Sequence, residues 1–125
     1  MNLKKVNEIL QDAYEGFLGG CLGTDIFSRS SGMAVASVNG NPKACALFNF
    51  LAERINESTR KSQLGLPEDF EIFMIVFEGG LMIFMINLTD KYRWGVLVDT
   101  NRASLGIAVS VVIPEAVPKF REALV

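Results

Sequence analysis

The 125-residue chain has no histidine, two cysteines and a single tryptophan, and its twelve basic and fourteen acidic side chains leave a net charge of −2. Each scarcity removes a class of function. Without imidazole there can be no Ser/His or Cys/His dyad and no histidine metal ligand, which excludes the commonest acid–base and zinc chemistries by composition. The charges nearly balance and are spread along the chain, so neither the basic footprint of a nucleic-acid binder nor an acidic tail is present. Cys21 and Cys45 fit no CxxC spacing and follow no secretory signal, which reads as two buried, reduced thiols in a cytoplasmic protein. The charge-free runs 72–77, 79–89 and 103–114 fall well short of the roughly 20 apolar residues that span a bilayer.

What is present is hydrophobicity, at 50% of residues. The length predicts one domain over residues 1–125 that can bury roughly two thirds of its unfolded surface without a disulfide or a metal. A sheet covered on both faces, or a permanent subunit interface, would absorb the excess apolar surface. Leu3, Val6, Ile9, Leu10, Ala13 and Phe17 recur at helical spacing, and Gly16 to Gly20 end that helix. Residues 21–27 and 33–37 read as a hairpin around the Ser28 to Gly32 turn. Asn41 and Pro42 are a helix-start signal, with a long helix to follow whose apolar stripe is Ala44, Leu47, Phe48, Leu51 and Ile55, fraying by Gly65. Strands over 70–77 and 81–88 flank Gly79-Gly80, read as a two-residue hairpin loop that sets Val76 opposite Ile83 and Met74 opposite Met85. A fifth strand covers Trp94 to Asp99. Residues 103–124 read as a helix kinked at Pro114 and restarted at Pro118, although Val109, Val111, Val112 and Ile113 favour strand.

Several residues invite chemistry. Gly16, Gly19, Gly20 and Gly23 lack the order and the following Lys-Ser of a phosphate loop, and fit a helix cap and turn. Asp25 and Asp99 would need to meet to share acid–base work, and isolated structural carboxylates are the simpler reading. Trp94 with Tyr92 and Arg93 could stack on a partner or belong to the core. Arg29, Arg54, Arg60 and Arg102 are each more simply surface arginines than arginine fingers. No catalytic residue, metal site or cofactor emerges. The flank of the long helix carrying Lys43, Ala46, Phe50, Glu53, Arg54 and Glu57 mixes one aromatic with charges, as a partner or dimer surface does.

The order helix, two strands, long helix, three strands, helix resembles the roadblock family of dynein light-chain-like domains, whose bacterial members regulate Ras-like small GTPases. The local resemblance lies in Ser31-Gly32-Met33-Ala34-Val35-Ala36-Ser37, in Glu78-Gly79-Gly80-Leu81 and in Ala103-Ser104-Leu105-Gly106-Ile107. Ser104 stands where asparagine is common in the family, and two prolines interrupt a final helix that is usually continuous. The resemblance implies an α+β, three-layer α/β/α sandwich of profilin-like type, with a five-stranded antiparallel sheet between one long helix and two terminal helices. It further implies a non-enzymatic homodimer joined through the long helix and the third strand, where Ile72, Met74 and Val76 lie, with a Ras-like GTPase as partner. A long apolar third strand agrees with this on its own account, because pairing with its symmetry mate removes an aggregation-prone edge. The competing readings are an adaptor that assembles a larger complex without affecting nucleotide turnover, and a small-molecule sensor, which would need a pocket.

Overall fold

A computed structural model describes all of residues 1–125. Asn2 caps helix α1 (Leu3–Gly16) by accepting from the Lys5 N–H, and Val6, Ile9, Leu10 and Ala13 are its buried side. The hairpin β1 (Cys21–Ser28) and β2 (Ala34–Val38) follows. Helix α2 (Pro42–Lys61) starts as the sequence predicts, with the Asn41 side chain accepting from Lys43 N–H at 2.9 Å and Pro42 in the first turn. Strands β3 (Ile72–Val76), β4 (Leu81–Asn87) and β5 (Tyr92–Asp99) complete an antiparallel five-stranded sheet in the order β2-β1-β5-β4-β3. The chain ends in a short helix α3 (Leu105–Ile107), a π turn (Ala108–Val112) and helix α4 (Ile113–Ala123). No helix is long and apolar enough to cross a membrane.

Two cores sandwich the sheet. On one face α1 and α4 cover Ile26, Ala36, Met82, Phe84, Ile86, Trp94, Val96 and Val98. Trp94 fixes this layer: its ring meets Phe120 of α4 edge-on at 5.0 Å, and its Nε1 donates to Thr24 Oγ1 at 2.7 Å. On the other face α2 covers Phe27, Ile83 and Met85 with Cys45, Phe48 and Ala52. Gly95 makes that contact possible, because a Cβ there would come within 2.5 Å of the Phe48 ring.

The structure departs from the sequence expectation at three places. The buried line of α2 is Cys45, Phe48, Ala52 and Asn56, rotated from the expected stripe, so Leu47 is exposed. The β3–β4 loop has three residues rather than two. Phe77 N–H donates to Leu81 O at 2.7 Å, and Gly79 and Gly80 both take positive φ, 88° and 95°. Thr100 and Asn101 of the neighbouring turn hold this loop, donating to Gly80 O and Gly79 O. The register therefore slips by one, pairing Val76 with Met82 and Met74 with Phe84, and each β4 side chain changes face relative to β3. Finally, the last helix runs on through Pro118 instead of restarting there. The widened π turn immediately before Pro114 lets Ile113 N–H reach back to Ala108 O and absorbs the proline without a break.

Candidate functional site

The register decides which groups β3 presents. Phe77 and Glu71 bond to β4, since Phe77 N–H reaches Leu81 O and Asn87 N–H reaches Glu71 O. By the alternation of an antiparallel ladder, Phe73 and Ile75 also turn their backbone groups to β4, and Ile72, Met74 and Val76 turn theirs to the open edge. The side chains of those same three residues point to the α1/α4 face and are 42%, 49% and 64% exposed, whereas Met82, Phe84 and Ile86 beside them on β4 are at most 2% exposed. The cover of the terminal helices thus stops at β4. β3 is an edge strand with unpaired backbone groups and an uncovered apolar side.

Helix α2 lies across the other face and has two unlike flanks. Toward the β1–β2 hairpin, Asn49 Nδ2 donates to Arg29 O, Ala46 lies beside Gly32, and Glu53 Oε1 accepts from Arg93 at 2.8 Å. The opposite flank, which helical geometry assigns to Ala44, Leu47 and Leu51, looks toward the β3 edge, where Leu51 joins Phe73 and Ile75 around the core. Leu47 is exposed there, and Phe77 and Leu81 are exposed at the same end of this sheet face. The outer crest carries Lys43, Phe50, Arg54 and Glu57. Arg54 sits over the Phe50 ring at 5.1 Å and pairs with Glu57 at 2.9 Å, while Lys61 binds the same carboxylate at 2.8 Å. The Lys61 hydrogen bond, helped by Arg54, holds the Glu57 carboxyl below its usual range.

The nine residues expected at a partner or dimer interface fall into three groups. Ala46 and Glu53 lie on the flank toward the hairpin, Lys43, Phe50, Arg54 and Glu57 form the solvent crest, and Ile72, Met74 and Val76 lie on the opposite sheet face. Leu47 is the residue that sequence reasoning missed, because helical periodicity placed it in the core stripe.

Arg93 is the other. It is fully buried on β5, under Asn49, Glu53 and the Phe70 ring, whose centroid is 5.6 Å from the guanidinium carbon. Burial pulls its pKa down, and the hydrogen bond to Glu53 opposes that pull. Its signal in the sequence is an arginine inside an otherwise apolar strand. The remaining candidates have structural roles. Asp25 is buried and accepts from Ser37 Oγ, and Asp99 caps the Asn101 turn, four residues along β5 from the Gly95 that pairs with Asp25, or about 13 Å away. Arg29 is tied to Asp69, Asn87 and Thr89 O, and Arg102 lies 3.9 Å from Asp99. Arg60 is exposed on α2. The glycines at 16, 19 and 20 form the turn from α1 into β1, and Gly23 lies within β1.

This arrangement is the roadblock fold. MglB of Myxococcus xanthus superposes with a TM-score of 0.82 at 12% identity, covering 98% of this chain and 89% of that one. The gliding protein MglB of Thermus thermophilus gives 0.80 at 12% identity over 98% of this chain and 90% of that one. A Roadblock/LC7 domain from Streptomyces avermitilis gives 0.70 at 11% identity over 94% and 96%. No protein-family model matches the chain, and no curated protein matches it by sequence.

Proposed function

We propose that this chain is a cytoplasmic, non-enzymatic homodimer that binds a Ras-like small GTPase and modulates its GTP hydrolysis cycle, two copies joining through β3 and the Leu47 flank of α2. The observation that carries the dimer is the β3 edge, which presents unpaired backbone groups at Ile72, Met74 and Val76 together with exposed apolar side chains. An antiparallel two-fold pairing that uses the whole strand places Met74 opposite its own mate and Ile72 opposite Val76 of the second copy. All three outward-facing residues then sit in hydrogen-bonded pairs, adding about six bonds. On the α2 side, the exposed Leu47 and Phe77 supply apolar surface for the same contact.

The GTPase half of the proposal is supported by the sequence resemblance to bacterial roadblock regulators and by the fold shared with MglB. In such a role the module contributes surface rather than reacting groups, which agrees with the structural duties of Asp25, Asp99, Arg29 and Arg93. The test is a pull-down with the tagged protein from its own organism's lysate, run with a non-hydrolysable GTP analogue and with GDP. Enrichment of a Ras-like GTPase in one nucleotide state is the expected result. The same non-GTPase proteins in both lanes would leave an assembly scaffold instead.

A further inference from the structure

We propose that Arg93 and Arg29 form a phosphate-binding site closed by the strap between α2 and β3, with the Asp69 carboxylate standing in for the ligand. The site lies within one chain and does not depend on the dimer or on the GTPase reading. Arg93 is fully buried, and its donors are unevenly used. Nη1 donates to Asn49 Oδ1 at 3.0 Å and to Glu53 Oε1 at 2.8 Å, whereas Nε and Nη2 are buried with no hydrogen-bond partner in the chain. Those two nitrogens flank one edge of the guanidinium, the fork that takes two oxygens of a single anion. A buried donor without a partner is costly, so a complete unpartnered fork on an otherwise anchored side chain points to a ligand that fills it.

A second cation converges on the same place. Asn87 lies opposite Arg93 in the β4–β5 ladder, and its Oδ1 accepts from Arg29 Nη1 at 3.0 Å. Asn49 links the two arginines from α2, donating to Arg29 O and accepting from Arg93. Arg29 Nη2 and Asn56 Nδ2 both donate to one oxygen, Asp69 Oδ1, each at 2.8 Å. Asp69 thus occupies donors that an incoming anion would use. It is also the removable part, because residues 62–69 are exposed and Gly65 to Glu68 make no backbone hydrogen bond. Beyond Asp69 the strap is held by Phe70, whose N–H donates to Asn56 Oδ1 at 3.3 Å and whose ring covers the Arg93 guanidinium at 5.6 Å.

The donor set selects the ligand. With Asp69 withdrawn, the available donors are the Arg93 fork, Arg29 Nη2 and Asn56 Nδ2, and the charge of two arginines is offset only by Glu53. A carboxylate would use both oxygens on the fork, whereas a phosphate has a further oxygen for Arg29 and Asn56. Exchanging Asp69 for phosphate also replaces one anion by another, so the buried charge of Arg93 stays compensated.

The experiment follows the Arg93 Nε–H resonance in proton–nitrogen NMR spectra of the full chain during titration with inorganic phosphate. Chloride at matched ionic strength and acetate are the controls, and the Phe70 amide reports on variants that lack the Arg93 signal. Phosphate should move the resonance saturably, and the controls should not. Asp69→Asn removes the internal competitor and should tighten phosphate binding by about tenfold, which a purely structural Asp69 would not do. Arg93→Lys keeps the charge without the fork and should weaken binding by about tenfold or more, with Arg93→Met as the second variant should the lysine misfold. Glycerol phosphate run alongside tells a phosphomonoester from free phosphate, and tighter binding of either supports the site. A resonance that ignores phosphate in both the wild type and Asp69→Asn, or that answers chloride equally, overturns the site. Binding that Asp69→Asn leaves unchanged or weakens overturns the exchange, and an equal response to acetate overturns the choice of phosphate.

Discussion

Arg93 Nη1 on β5 donates to Glu53 Oε1 on α2 at 2.8 Å, joining a fully buried guanidinium to a carboxylate that is 56% exposed. The pair ties the long helix to the sheet, and its two ends are not equivalent. Removing the glutamate strands a buried charge that keeps only Asn49 and the face of Phe70, while replacing the arginine by an apolar side chain of similar length removes the charge itself. We predict that Glu53→Ala costs about 1–3 kcal/mol, reduced by the glutamate's exposure, and that Arg93→Met costs less. Urea denaturation of the two single variants and the double variant checks this. Adding Glu53→Ala to Arg93→Met should then cost little, and an additive double variant would show that the two groups act independently.

How much of this was legible follows from which patterns carry a direction. Asn41-Pro42 is a one-sided signal, since only a helix start uses both, and the structure begins α2 there. The run 72–88 carries none. Both faces of the β3–β4 hairpin are apolar, so moving the register by one residue exchanges like for like, and alternation along the chain cannot choose between the two pairings. The choice is made by Thr100 and Asn101 holding the Gly79 and Gly80 carbonyls, a contact about twenty residues away in sequence. In the observed register Ile72, Met74 and Val76 share the face of Met82, Phe84 and Ile86, away from α2. Leu47 failed for a related reason: a helix lying on a sheet has a wide apolar face, and periodicity does not mark where the cover ends.

The proposed pairing fixes a register that cross-linking can read. With Met74 opposite its mate, the two Cα atoms lie about 5.5 Å apart, within the span of a disulfide. Met74→Cys should form a covalent dimer under mild oxidation. Ile72→Cys alone should not, because four residues of strand separate it from its own mate, but a mixture with Val76→Cys should. The two native thiols are buried and stay out of the reaction. Equal cross-linking of Ile72→Cys and Met74→Cys would argue for a slipped pairing or for random collision.

The two flanks of α2 separate the dimer from the crest. Leu47 lies on the flank toward β3, and Phe50 lies on the crest, covered by Arg54. Leu47→Glu should therefore raise the dimer dissociation constant by about tenfold or more, through a charge placed in an apolar contact, and Phe50→Glu should do so much less. Analytical ultracentrifugation over a concentration series measures both. A larger effect at Phe50 would place the contact on the crest.

The thiols give the last test. Burial pushes Cys45 up from 9.0 to about 12, with the Asp25 carboxylate adding to the shift, and pushes Cys21 up to about 11. Thiolate is the reactive form, so the native protein should react with no thiol reagent at neutral pH, and both cysteines should react in denaturant. The same shifts set a stability profile. A folded pKa above the unfolded one favours the native state fully below pH 9, and this advantage is lost as the pH climbs from about 9 toward the folded values, because the unfolded chain ionises first. The urea midpoint should fall from about pH 8 to about pH 10.5. Cys45→Ala isolates the thiol: it should be less stable at pH 8 through the lost packing, and the gap to wild type should narrow as the pH rises. A gap that stays constant would mean that Cys45 ionises in the folded protein as easily as in the unfolded chain.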